Sequence, residues 1–316
     1  MRKSMAPDLT VHIAGLRMKN PVMTASGTFG YGREYQLFFD LNRLGALVTK
    51  GISLKAMIGN PPPRICETAG GMLNAIGIEN VGVKAFVRDK LPFLSGLEIP
   101  VIVNILGHSL KEYPEVARHL DGQPGIAALE INISCPNVAR GGLAFGADPQ
   151  LAAKVVSKVR KATTLPLITK LTPQVTDIGL IARAVEEAGS DALSLINTLP
   201  AMSVDIRTRK SRLGRISGGL SGPAIKPVAL RLVYQAVQAV KIPVIGLGGI
   251  RTAEDALEFL MVGARAVQIG TANFVRPTAV LEIIAGIQDF LFKNRISKID
   301  HFIGTLQPCG EVRSPE

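Results

Sequence analysis

The sequence predicts an α/β protein folded as a closed (β/α)8 TIM barrel, and three observations carry that expectation. Eight short Val-, Ile- and Leu-rich runs recur along the 316 residues. Amphipathic helical patterns lie between them, which calls for parallel strands joined by crossovers. Most of the runs are continuously apolar and do not alternate, the mark of strands buried on both faces. A doubly wound open sheet is the alternative arrangement of the same units.

The strand runs are Pro21–Ala25, Ala46–Thr49, Pro100–Asn104, Ile126–Ile131, Pro166–Thr169, Ala192–Ile196, Pro243–Gly246 and Ala266–Ile269. Between them, Pro149–Thr163 carries Leu151, Ala152, Val155, Val156 and Val159 on one helix face. Asp177–Ala188 and Pro223–Val240 show the same pattern. Thr252-Ala253-Glu254-Asp255 reads as a capping-box variant opening a helix through Val262. Leu9–Met18, broken at Gly15, predicts a hairpin closing the barrel floor. Two stretches exceed ordinary loop length: Gly51–Asn80, with Pro61-Pro62-Pro63, and Thr198–Gly222. Loops this long inside a compact domain are usually functional. No domain boundary, internal repeat or low-complexity segment interrupts the chain, so residues 1–316 read as one domain.

Composition narrows the partners. Hydrophobic residues make up 47% of the chain, ample for a core, with 5% aromatics and no Trp. The formal charge of +11 suits anionic ligands or an acidic docking partner. The basic residues are dispersed. Even the densest cluster, Arg207-Thr208-Arg209-Lys210-Ser211-Arg212, lacks interleaved aromatics, so no nucleic acid is expected. Cys66, Cys135 and Cys309 are far apart and form no CxxC pair. That excludes a disulfide framework and fits a reducing, cytoplasmic compartment. His12, His108, His119 and His301 are scattered without metal-ligand spacing, so no metal site is expected. Met1-Arg2-Lys3-Ser4 is basic, but no apolar signal region follows it and no run reaches membrane-spanning length.

In a barrel, chemistry gathers where the strands end. Those positions hold Ser26 and Gly27, Lys50 and Gly51, Asn104, Asn132 and Cys135, Lys170, and Asn197 and Thr198. Gly248-Gly249 and Gly270-Thr271 follow the last two strands. Any strand must end in something polar or flexible, which accounts for the glycines. It accounts poorly for two lysines and three asparagines at one depth, because a partly buried lysine needs an anionic partner. The loops after strands seven and eight are where barrels of this kind hold phosphate, and Gly222-Pro223 offers a further backbone donor. No G-x-G-x-x-G follows a strand, so the chain carries no dinucleotide-binding domain of its own.

The run Asn132-Ile133-Ser134-Cys135-Pro136-Asn137 follows a buried strand and precedes Gly141-Gly142-Leu143-Ala144-Phe145-Gly146. A thiol with an ordinary pKa of about 8.5 serves as a base near neutrality after modest tuning. A glycine-rich segment beside it suits a mobile cover. The plain alternative is that Cys135 is a small buried hydrophobe. No histidine pairs with it in the sequence, which disfavours a Cys-His hydrolase. Cys66 and Cys309 have no comparable setting.

These residues resemble the class 1 dihydroorotate dehydrogenases, most closely the catalytic subunits of their NAD-linked type (1B), from about Leu9 to about Phe290. The carriers are Thr24–Gly30, Asn74–Asn80, Glu130–Asn137, Ile196–Thr198, Gly218–Ala224 and Gly246–Ile250. The resemblance implies a barrel holding FMN at the C-terminal face of the strands, with Ser26, Lys50, Gly51, Asn104, Asn132, Lys170 and Ile196 lining the flavin. It places the phosphate end on Gly222, Gly248, Gly249, Gly270 and Thr271. It assigns dihydroorotate to Lys50, Asn74, Ala75, Ile76, Gly77, Ile78, Asn132, Asn197 and Thr198. Cys135 becomes the catalytic base, where the membrane-associated class has Ser. The NAD-linked type passes electrons through a separate subunit with FAD and a 2Fe–2S cluster, in a heterotetramer of two catalytic and two electron-transfer chains. Asn137–Gly142 and Gly218–Ala224 favour that type over the fumarate-linked type 1A. A dihydropyrimidine dehydrogenase-like enzyme, which also uses a Cys, is a further alternative. A colourless phosphate-binding barrel is the non-enzymatic one.

Overall fold

All eight expected runs form parallel strands in the computed structural model, which describes residues 6–134 and 142–307. They are β1 (Val22–Thr24), β2 (Leu47–Val48), β3 (Val101–Ile105), β4 (Ala128–Asn132), β5 (Leu167–Lys170), β6 (Ala192–Leu195), β7 (Val244–Leu247) and β8 (Ala266–Ile269). Their order is β1-β8-β7-β6-β5-β4-β3-β2, and a parallel bridge between Met23 and Ala46 joins the two ends. The sheet therefore closes, and the open-sheet alternative is excluded. Gly45 permits the closure. A Cβ there would lie 2.1 Å from the carbonyl oxygen of Asn20, and its N–H donates to Val22 O at 2.9 Å.

The helices seal the outside of the sheet. The helix Pro149–Arg160 buries Ala152, Val155, Val156 and Val159, and Asp148 caps it by accepting from Leu151 N at 2.8 Å. Each such buried Val adds about 1.5–3 kcal/mol relative to exposure. Asp177 caps Ile178–Glu187 in the same way. Thr252 and Asp255 complete a reciprocal capping box on Ala253–Met261. The segment from Pro223 opens with one 3-10 turn, Pro223–Ile225, before the helix Lys226–Ala239. The strands Val11–Ile13 and Leu16–Met18 pair as a hairpin whose Ala14-Gly15 turn has positive φ at both residues. Met18 packs against Gly45 at the N-terminal side of β2, on the barrel floor.

The two long insertions are not loops. Ile65–Thr68 and Gly71–Asn74 from the first join Leu199–Ala201 and Gly218–Ser221 from the second in one four-stranded antiparallel sheet. Because the insertions follow β2 and β6, this sheet stands at the C-terminal face of the barrel. No helix among the described residues is long and apolar enough to cross a membrane.

Candidate active site

At the C-terminal face, Lys170 and Asn104 meet at a buried carboxylate, Glu130, with Ser26 on the far side of Lys170. Lys170 Nζ donates to Ser26 Oγ at 3.2 Å and lies 3.8 Å from Glu130 Oε1. Asn104 Nδ2 donates to the same Glu130 oxygen at 2.6 Å. Glu130 supplies the anionic partner that a buried Lys170 requires, so this lysine does not by itself demand an anionic ligand. Lys50 differs. It is only partly buried, and its ammonium has no ion-pair partner among the described residues. Gly51 beside it approaches closely, since a Cβ there would lie 2.8 Å from Asn104 Oδ1.

Asn132 and Asn197 meet through Ser134. Ser134 Oγ donates to Asn132 Oδ1 at 2.9 Å, and Asn197 Nδ2 donates to Ser134 O at 3.2 Å. The Asn197 Oδ1 accepts from Thr198 N at 2.8 Å. Ile196 is buried beside them, after a cis Leu195–Ile196 peptide. Cys135 and Gly141 lie outside the described residues, as does Cys309.

The turn Asn74–Ile78 hangs from the cap sheet. Asn60 N–H donates to Ile76 O at 2.9 Å, and Asn60 Nδ2 donates to Ala75 O at 3.0 Å. Ala75 N donates to Arg64 O at 2.7 Å, and Asn80 Nδ2 to Ile78 O at 2.9 Å. Arg64 itself pairs with Glu79. Ile78 has φ of +57°, in the left-handed region that costs a branched side chain energy, so these contacts hold it there. Asn74 Nδ2 donates to Gly219 O at 3.2 Å, tying the turn to the second insertion. Arg215 Nε donates to Asn60 Oδ1 at 3.1 Å from that same insertion.

The glycine turns after β7 and β8 face the other side of the barrel mouth. Gly222, Gly248 and Gly249 all have positive φ, and a Cβ on Gly249 would lie 2.7 Å from the backbone nitrogen of Lys226. Thr271 Oγ1 donates to Ser221 Oγ at 2.8 Å, and Gly270 precedes it without crowding. Lys226 is fixed from behind by Asp255 at 2.6 Å and Glu258 at 2.8 Å. Burial pushes the Asp255 carboxyl up. Lys226 and the N–H groups of Arg251 and Thr252 outweigh that and hold it below its ordinary value. A lowered folded-state value stabilises the fold above the unfolded pKa, and that contribution fades as pH falls through the folded one. Asp255→Asn is expected to destabilise by about 1–2 kcal/mol at neutral pH. Urea melts of the two proteins should converge in acid; a gap that stays constant down to about pH 2 contradicts the assignment.

Comparison with known proteins bears on this geometry. A family profile described as dihydroorotate dehydrogenase matches residues 8–291. The chain belongs to the dihydroorotate dehydrogenase family. It is an oxidoreductase by that membership. The dihydroorotate dehydrogenase B (NAD(+)) catalytic subunit of Geotalea daltonii is 58% identical over 301 residues, covering 95% of this chain and 99% of its own. The subunit of the same description from Pelobacter propionicus is 55% identical over 303 residues, covering 96% and 100%. A crystal structure of DHODH with ferulenol from Eimeria tenella has TM-score 0.80 at 22% identity, covering 96% of this chain and 90% of that one. At that identity it supports the barrel fold alone.

Sequence reasoning missed Asn60, Arg64 and Asn80, which hold the Asn74–Ile78 turn, because their carbonyl partners are set by tertiary contact. It also gave no role to Glu130, Ser194 and Gln268. For Glu130 a signal existed: one carboxylate in the middle of an otherwise apolar strand.

Proposed function

We propose that this chain is the FMN-dependent catalytic subunit of an NAD-linked dihydroorotate dehydrogenase, oxidising dihydroorotate to orotate in de novo pyrimidine biosynthesis. The observation that carries the reading is the convergence of Lys170, Asn104, Asn132 and Asn197 at one barrel mouth, opposite glycine turns of positive φ, in a chain of this family.

The residues present fit FMN. Asn104 Oδ1 is buried without a partner, an acceptor that a ligand's N–H satisfies. Gly222, Gly248 and Gly249 have positive φ and no room for a Cβ, and with Gly270 and Thr271 they offer backbone groups for its phosphate. Ser26, Lys50, Gly51, Asn104, Asn132, Lys170 and Ile196 line the ring system in this reading. FMN supplies a hydride acceptor when bound.

The chain's own groups do the rest. Lys50 and the turn Asn74, Ala75, Ile76, Gly77 and Ile78 receive the substrate, with Asn132, Asn197 and Thr198 reading its alternating N–H and C=O edges. Lys50 neutralises the substrate carboxylate. Cys135 takes the proton from C5 of dihydroorotate. Electrons leave through a separate subunit bearing FAD and a 2Fe–2S cluster, in a heterotetramer of two chains of each kind, in the cytoplasm.

Copurification from the native host, with a flavin and iron count, tests the reading. One FMN per chain is expected, with turnover of dihydroorotate but not dihydrouracil on an artificial acceptor, and NAD+ outpacing fumarate in the complex. Colourless protein refutes it. Lys50→Ala is expected to weaken orotate binding about tenfold or more, the scale of one charge-assisted contact. Unchanged affinity in a flavin-absorbance titration contradicts that role.

A further inference from the structure

Glu130 is fully buried inside the barrel, two residues before Asn132 on β4. The reaction proposed above makes no use of it. A carboxylate removed from water is costly unless its oxygens are paired. Groups from four other strands pair them. Asn104 Nδ2 donates to Oε1 at 2.6 Å, and Lys170 Nζ lies 3.8 Å from the same oxygen. Ser194 Oγ and Gln268 Nε2 donate to Oε2 at 2.8 and 2.7 Å.

Two consequences follow from elementary chemistry. An ionised carboxylate only accepts hydrogen bonds. It therefore decides which end of the Asn104 amide faces it, and leaves Asn104 Oδ1 buried and unpartnered. It also places a negative charge beside Lys170, in a setting where salt screens little. Packing alone does not explain such a group, because apolar residues of similar volume replace buried ion pairs at no loss of stability in many folds. Both residues that Glu130 fixes are ones assigned to the flavin.

We propose that Glu130 is a positioning residue for the flavin end of the site: it aims the Asn104 amide and offsets the Lys170 charge, so that bound flavin is harder to reduce than Lys170 alone would make it. The inference rests on the FMN reading above. Its sign is what separates it from a role in folding. Removing the carboxylate leaves Lys170 unopposed and favours the more negative, reduced flavin.

Glu130→Gln keeps the size and removes the charge. The holoenzyme, at saturating FMN, is reduced slowly beside a reference dye, and the ratio of reduced to oxidised flavin is read from absorbance. At a fixed dye potential this ratio is expected to rise about tenfold in Glu130→Gln, the scale of one weakly screened charge. Lys170→Met shifts it the other way. Glu130→Gln introduced into Lys170→Met raises it again, and that pair carries the test if the single variant does not fold. An unchanged or lower ratio with flavin bound overturns the proposal, as does weakened FMN binding without the rise. Wild-type protein that binds no FMN overturns the reading beneath it instead.

Discussion

Replacing Cys135 by Ala is expected to lower dihydroorotate turnover by about 10²–10⁴-fold while the FMN content stays at the wild-type level. The magnitude is that of losing a general base, with the hydride acceptor left in place. The selectivity comes from where the other groups stand. Ser134, the neighbour of Cys135, accepts from Asn197 Nδ2 and donates to Asn132 Oδ1 through its hydroxyl, both at 2.9 Å. Ser134 thus bridges two asparagines assigned to the pyrimidine. Asn132 is shared with the flavin, but two other groups assigned to FMN are held elsewhere, Lys170 by Ser26 and Glu130, and Asn104 by Glu130. Stopped-flow reduction by dihydroorotate isolates the step, since it reads flavin bleaching before any onward transfer. Near-normal reduction in Cys135→Ala refutes the base assignment. Cys135→Ser should react slowly and gain rate as pH rises, because a hydroxyl is a far weaker base than a thiolate; a flat profile counts against the idea.

The barrel was readable in the sequence because its strands are buried on both faces. Runs such as Ala192–Leu195 and Ala266–Ile269 have every residue buried, and the single polar residue in each, Ser194 and Gln268, leaves the apolar signal standing. The cap sheet was not readable. Ile65–Thr68 alternates exposed and half-buried residues, and Gly218–Ser221 begins with two glycines. Neither strand shows a core-facing pattern. Their pairing is fixed by contacts across a long stretch of chain, such as Gly219 with Asn74. A side chain on Gly219 would lie 2.1 Å from Thr198 Oγ1, so close packing rather than strand propensity explains the residue. The same division holds at the site. Lys170, Asn104 and Asn132 announce themselves as polar residues at the ends of apolar runs. Glu130, Ser194 and Gln268 sit within the barrel strands, and only the closed barrel brings them to one point.

Gly249→Ala is expected to weaken FMN binding about 10²-fold and to destabilise the apoprotein by about 2–6 kcal/mol. Two terms add. Gly249 has φ of +80°, where a residue with a Cβ is strained by about 1–3 kcal/mol. The added methyl would also lie 2.7 Å from Lys226 N and 2.8 Å from Lys226 Cα. Those are backbone atoms at the start of the helix Lys226–Ala239, and Asp255 and Glu258 hold the Lys226 side chain, so the helix does not yield cheaply. The turn must move instead, at an overpacking cost of about 1–3 kcal/mol. Because Gly248 and Gly249 are assigned to the phosphate end of FMN, a displaced turn loses contacts that a change in stability alone would spare. Gly96→Ala is the control, since a Cβ there meets nothing closer than 3.5 Å and φ is not positive. Thermal melts of both apoproteins and fluorescence titration with FMN separate the effects. A destabilised Gly249→Ala that binds FMN as tightly as the wild type would remove the phosphate from this turn.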